Sequence, residues 1–246
     1  VTNEYGWTTK PTDDWNLIVN ENDTGGYAAF VSYSYGGNKK GDVIEMQFDL
    51  PDFYAPHTSP NSEADRTVAH EMVHLMQAQN NYVGDLTGDG SSKATWFMEG
   101  LAEFIHGADS RALGHLGSAT PTDAQIDALT AKIGTGNEAW TASDQYSAAY
   151  LATRFLHKKI TDAGFADGVK DMTVWMKTQH DANNGAAASG INAYFTARGI
   201  GGAGYDNDAF VAEFKGVNGR NFIKSDILPN INNADTGSIR GSDVEI

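Results

Sequence analysis

The segment His70-Glu71-Met72-Val73-His74 constrains this chain more than any other. It sits in the clearest helical period of the sequence, from Ser62 to about Gln79, where Val68, Met72, Leu75 and Met76 recur at helical spacing. Residues i and i+4 share a helix face, so His70 and His74 can reach one metal ion from the same side. Glu71 lies about 100° around the axis. That position suits a general base that holds a water and takes its proton, and it suits a third ligand poorly. Whatever fold the chain adopts must set this helix beside a cleft and bring in a further ligand from another element.

The ligand must be His, Asp or Glu, because the chain has no cysteine. That same absence removes disulfides and cysteine catalysis. The best source is the run Trp96 to Phe104, WFMEGLAEF, on a predicted helix from about Thr95 to His106 that stops at Gly107. Glu99 and Glu103 are again i and i+4. Phe97, Leu101, Phe104 and Ile105 flank them, so both carboxylates should point partly inward. With no Lys or Arg nearby in sequence, such a pair is costly unless a cation neutralises it. Zinc would do so, and it would lower the pKa of a bound water from ~16 to near 7. Spacing leaves open which carboxylate binds the metal and which supports a ligand imidazole from behind.

HExxH followed after 24 residues by an EGxAEF segment resembles the gluzincin metallopeptidases, and among them the collagenase-like group. The metzincin pattern fails, because Gln77 and Asn80 stand where it needs Gly and His. The segments ADRTVAHEMVH, WFMEGLAEF and YSAAYLATRFL, in this order, are similar to the metallopeptidase domain inserted in proteolytic flagellins, the flagellinolysins; the match is specific over roughly residues 64–156. The resemblance implies Glu99 as third zinc ligand beside His70 and His74, Glu103 as hydrogen-bond partner of a ligand imidazole, and Glu71 as catalytic base. It implies a tyrosine that bears the oxyanion, matched best by Tyr146 with Tyr150 as the alternative. It also implies an α+β zincin fold of the thermolysin/collagenase type. An extracellular setting follows, with display on a bacterial flagellum and flagellin subunits as partners, since the tail NADTGSIRGSD looks like a return to a flagellin body.

Other features are weaker. Arg154 could bind a substrate carbonyl or carboxylate, but a surface ion pair is the plainer reading. His106 could approach the site, and His57 could touch substrate from the loop Pro51 to Pro60. His115, His157 and His180 read as surface residues. Asp85 to Gly90 resembles the start of a calcium loop, yet Trp96 occupies the required acidic position twelve, so a turn is expected, with Ca2+ as the alternative.

Upstream, Trp15 to Asn20, Tyr27 to Tyr35 and Val43 to Leu50 read as strands. The alternation in Val43 to Phe48 marks a strand with one buried face and suggests an edge on which a peptide substrate could pair. Downstream, helices are expected at Thr122 to Ile133, Ser143 to Ile160, Ala166 to Thr178, Gly190 to Ala197 and Asp208 to Phe214. The result is one metallopeptidase domain over 1–246: an N-terminal mixed sheet with the active-site helix (1–84), a mainly helical half (85–218) and a polar tail (219–246). The net charge of -15 repels nucleic acid and anionic membranes, so neither is expected as partner, and protein or peptide substrates are. The N-terminus shows no basic n-region and no apolar h-region, so no signal peptide is expected. An aminopeptidase of the same class stays open, although no GxMEN-like motif is present. So does a surface or filament module that binds zinc without catalysis.

Overall fold

The computed structural model describes residues 15–21, 28–36, 39–50, 63–80, 86–182 and 186–231, together with Tyr5 and Trp7. Strands β1 (Trp15–Asn20), β2 (Ala29–Gly36) and β3 (Lys39–Asp49) form a sheet in the order β1-β3-β2. β1 runs parallel to β3 and β2 antiparallel to it. Ile44 and Met46 are buried, as the period-2 pattern requires. β3 is nevertheless the middle strand, and both of its backbone edges are already paired. The expected pairing of a substrate with Val43 to Phe48 therefore fails. Alternation reports a buried face, which a central strand shows as well as an edge strand does. β1 and β2 are the sheet edges among the described residues.

Helix α1 (Glu63–Gln79) lies between the sheet and the helical half. Leu75 and Ala78 pack with Ile44, flanked by Val31 and Tyr33. Val73 and Met76 enter the main core instead. Met72, expected to be buried, is 39% exposed; its neighbour Val73 takes the inward position. With apolar contacts on two sides, α1 is held firmly, and its histidines are placed by that packing.

The helical half comprises α2 (Thr95–His106), α3 (Asp109–Leu116), α4 (Asp123–Thr130), α5 (Ser143–Asp162), α6 (Val169–Asp181), the single turn α7 (Ala186–Ser189), α8 (Ile191–Arg198), α9 (Asn207–Lys215) and α10 (Val217–Phe222). α4 starts with a capping box in which Thr122 and Gln125 satisfy each other's backbone N–H groups. α3, the single turn α7 and α10 fall where no helix was expected. Beyond α10 a wide π-type turn (Ile223–Ile227) and a short 3-10 turn (Leu228–Asn230) follow. Phe222, Ile223 and Ile227 belong to the main core, so residues 219–231 are structural and not part of a polar tail. The flagellin-like segment beyond them lies outside the described residues. Two expected surface histidines, His157 and His180, are buried. No helix among the described residues is long and apolar enough to cross a membrane.

α2 is the hub of this half. The Trp96 ring stacks on Phe210 at 5.1 Å, and its indole N–H donates to Asn207 at 3.0 Å, which ties α2 to α9. Against α5, α2 approaches so closely at Gly100 that a Cβ there would collide with the Ala149 carbonyl oxygen and the Thr153 hydroxyl. Backbone cannot yield as a flexible side chain can. Gly100→Ala should therefore cost about 1–3 kcal/mol, the scale of overpacking a tight interior. Urea melts would measure it, and unchanged stability would contradict the contact.

His157, on α5, stacks near Phe104, and its Nδ1 faces the Val169 N–H at 3.4 Å. Burial first, then Arg154 and Lys170, push its imidazole down to about 4. The unfolded chain protonates near 6.5, before the folded protein does. This histidine's contribution is therefore complete above pH 6.5 and is lost as pH falls toward 4. Between pH 7 and 4.5, His157→Gln should lose about 2 kcal/mol less stability than the unsubstituted chain. Identical losses in paired denaturant titrations would remove this role.

Candidate metal centre

His70 and His74 project from α1 toward Glu99 on α2. The His70 Nε2 and His74 Nε2 atoms are 2.9 Å apart. Glu99 Oε2 lies 3.1 Å from the first and 3.0 Å from the second. All three residues are buried. Two nitrogens and one oxygen thus meet at a single point, one of two groups among the described residues able to hold a metal ion. Ligands bound at 2.0–2.1 Å to a tetrahedral ion stand roughly 3.3 Å apart, so this donor set fits zinc by chemistry and by spacing. Of the two α2 carboxylates, Glu99 is the one that lies beside both Nε2 atoms.

The far side of each imidazole is also occupied. His70 Nδ1 meets Glu103 Oε1 at 2.9 Å. His74 Nδ1 meets Gln77 Oε1 at 2.6 Å. A carboxylate and an amide oxygen only accept, so both Nδ1 atoms donate, and each ring turns its Nε2 toward Glu99. The Gln77 amide in turn donates to the Met98 carbonyl at 3.0 Å, beside Glu99. Gln77 escaped the sequence reading, although its i+3 position from His74 on one helix was a usable signal.

Burial alone would lower the His70 imidazole, but hydrogen bonds to Glu103 and Glu99 outweigh it and raise it to about 10 in the metal-free protein. His74 is raised against the same burial by Glu99. Burial would raise Glu99, yet His74 and His70 hold it at about 2. Glu71 is buried beside them, and its charge contributes to raising both histidines.

Glu103 is fully buried. Its cation is Arg111 of α3, whose Nη1 donates to Glu103 Oε1 at 2.8 Å. The neighbouring sequence offers the pair no cation, and the fold brings one from eight residues beyond Glu103, on a helix that was not foreseen. His106 is also buried, with Nε2 3.4 Å from Glu103 Oε1. The trio His70, Glu103 and His106 forms the second metal-capable group. A cation there would face the Arg111 guanidinium across one carboxylate oxygen, so charge repulsion disfavours it.

The two candidate tyrosines part company. The Tyr146 ring lies edge-on to His70, centroids 5.5 Å apart, and its hydroxyl donates to the Trp140 carbonyl at 2.8 Å. Burial, then the carboxylates Glu99, Glu71 and Glu103, raise its pKa, so it stays a proton donor. Trp140 has φ 52, the sole positive φ outside glycine among the described residues. Tyr150 is held elsewhere: its hydroxyl donates to Asp109 and accepts from Arg154, each at 2.7 Å. Arg154 is therefore engaged in a partly buried cluster, neither a simple surface pair nor a residue facing the metal group. His115 bonds Ser147 and Ser143 at 2.7 and 3.0 Å. His57 and Asp85 lie outside the described residues. Asp89, in the segment expected to form a turn, accepts from the Thr87 hydroxyl and the Ser91 N–H.

Residues 22–169, more than half of the chain, match the Peptidase_M9 family, described as Collagenase. No curated protein and no solved structure matches the chain. The matched span contains helices α1 to α5 entire, and with them every side chain described above around the convergent nitrogen and oxygen atoms. By that match, the chain belongs to the collagenase family of metallopeptidases.

Proposed function

We propose that this chain is a zinc-dependent endopeptidase of the gluzincin class. The observation that carries the reading is the meeting of His70 Nε2, His74 Nε2 and Glu99 Oε2 within 3.1 Å of one another in a buried place. Zinc bound there supplies Lewis acidity, which brings the pKa of a water near 7 and polarises a peptide carbonyl. The protein's own groups do the rest. Glu71 accepts the proton of the attacking water and passes it to the departing amine. The Tyr146 hydroxyl leaves the Trp140 carbonyl and donates to the oxyanion of the tetrahedral adduct. Glu103 and Gln77 keep each imidazole in the tautomer that binds metal.

Substrate is an extended polypeptide. The extracellular, flagellum-borne setting and flagellin partners are proposed on sequence resemblance alone.

Metal analysis beside kinetics tests the reading. Glu71→Gln should keep one zinc per chain while turnover on an unfolded protein falls ~10²–10⁴-fold; full activity in that variant would refute the base assignment. Glu99→Ala should lose tight zinc binding, since two imidazoles alone leave the site a ligand short of the usual three. Tyr146→Phe should lower kcat roughly 10²–10³-fold, the scale of one oxyanion donor. Chelator treatment should abolish cleavage of N-terminally blocked peptides, and added zinc should restore it. Persistent cleavage by the stripped protein, or failure on blocked peptides alone, would reject the metal-dependent or the endopeptidase part respectively.

A further inference from the structure

We propose that Arg111 is a positioning residue, setting His70 through Glu103 and Tyr146 through its ring. The proposal rests on the zinc-peptidase reading above. Four side chains close a circuit. His70 Nδ1 meets Glu103 Oε1 at 2.9 Å. Arg111 Nη1 donates to that same oxygen at 2.8 Å. The Arg111 guanidinium lies 5.8 Å from the Tyr146 ring centroid, within cation–π range. The Tyr146 ring returns to His70 at 5.5 Å.

Charge explains why the circuit needs an arginine. Glu103 is fully buried, with His70, His106 and Arg111 as its ion-pair partners. His70 is neutral when its Nε2 holds a metal. Arg111 is then the one permanent cation on this carboxylate among its described partners, since guanidinium does not deprotonate. A buried carboxylate stripped of its cation is strongly disfavoured, so without Arg111 Glu103 would lose its anchor at 2.8 Å and His70 its fixed acceptor.

The fold places Arg111 for this role. Ala112 and Leu116 bury one face of α3. Its first residue, Asp109, accepts from the Tyr150 hydroxyl of α5, one turn beyond Tyr146. The next, Ser110, accepts from Arg66 of α1 at 3.0 Å. The short helix is thus tied to the two helices that carry His70 and Tyr146. With Nη1 committed to a buried carboxylate, Arg111 acts behind the metal ligands and not on substrate.

A double-mutant cycle on the full chain tests this, using Arg111→Met, Arg111→Lys, Glu103→Gln and the combinations. Zinc affinity is measured by chelator competition, with kcat and KM on a blocked peptide and thermal melting alongside. Arg111→Met should weaken zinc ~10–100-fold, the scale for a partner of a ligand imidazole, and lower kcat with little change in KM. Arg111→Lys should recover much of the zinc affinity, because it retains the charge. In the Glu103→Gln background, where there is no charge to balance, Arg111→Met should add little. If Arg111→Met does not fold, Arg111→Gln in both backgrounds carries the same comparison. Unchanged zinc affinity, fully multiplicative losses, or a rise in KM alone would overturn the proposal. Absence of zinc binding by the unsubstituted chain would overturn the peptidase reading itself and this role with it.

Discussion

Three electronegative atoms from two helices stand about 3 Å apart where water hardly reaches, and such a cluster holds together only around positive charge. In the metal-free protein, protons on the two imidazoles supply that charge, which is why His70 and His74 are raised and Glu99 is depressed. A divalent ion would supply it better, since His70, His74 and Glu99 could each give it a lone pair. The rest of the architecture follows from holding these atoms together against their own desolvation. Helix α1 is gripped on two sides, by Ile44 of the sheet and by the main core. Helix α2 is gripped by α5 at Gly100 and by α9 at Trp96. Each imidazole is braced from behind by an acceptor.

Electrostatic balance extends one layer further out. Three carboxylates, Glu71, Glu99 and Glu103, are buried in one region. Glu99 meets both imidazoles at Nε2, and Glu103, behind His70, is met by Arg111. The same residue type, one turn apart, thus meets two different atoms of the histidine pair: Glu99 the Nε2 atoms, and Glu103 the far nitrogen of His70. The tyrosines divide likewise. Tyr146 faces the site, while Tyr150, one turn on, locks α3 to α5.

The parts legible in the sequence are those in which chemistry and helix period coincide within a few residues. His70 and His74, and again Glu99 and Glu103, are i, i+4 pairs, so their faces could be read without any tertiary knowledge. Gly107 ended α2 as expected. Contacts made across the chain were not legible. α3 has only eight residues, with Gly114 in its interior, and too few apolar positions to show a period; Arg111 and its pairing with Glu103 were hidden with it. The stretch from Gly219 onward looked polar because its buried apolar residues, Phe222, Ile223 and Ile227, sit among Asn, Lys, Ser and Asp and straddle the change from α10 to the π-type turn. Alternation in β3 revealed its buried face but carried no information on how many strands flank it. His157 and His180 illustrate the same limit, since a single imidazole in a polar stretch bears no mark of burial.

The close approach at Gly100 means that the EGLAEF helix is no portable cassette. Its carboxylates reach their places only because a neighbouring helix presents a bare backbone surface, Ala149 and its carbonyl, for the glycine to rest on. A designer who transplanted the two metal-facing segments into another scaffold would have to carry α5 along as a third piece. Any lineage that altered residue 149 or 153 would be testing the fit of residue 99 at the same time.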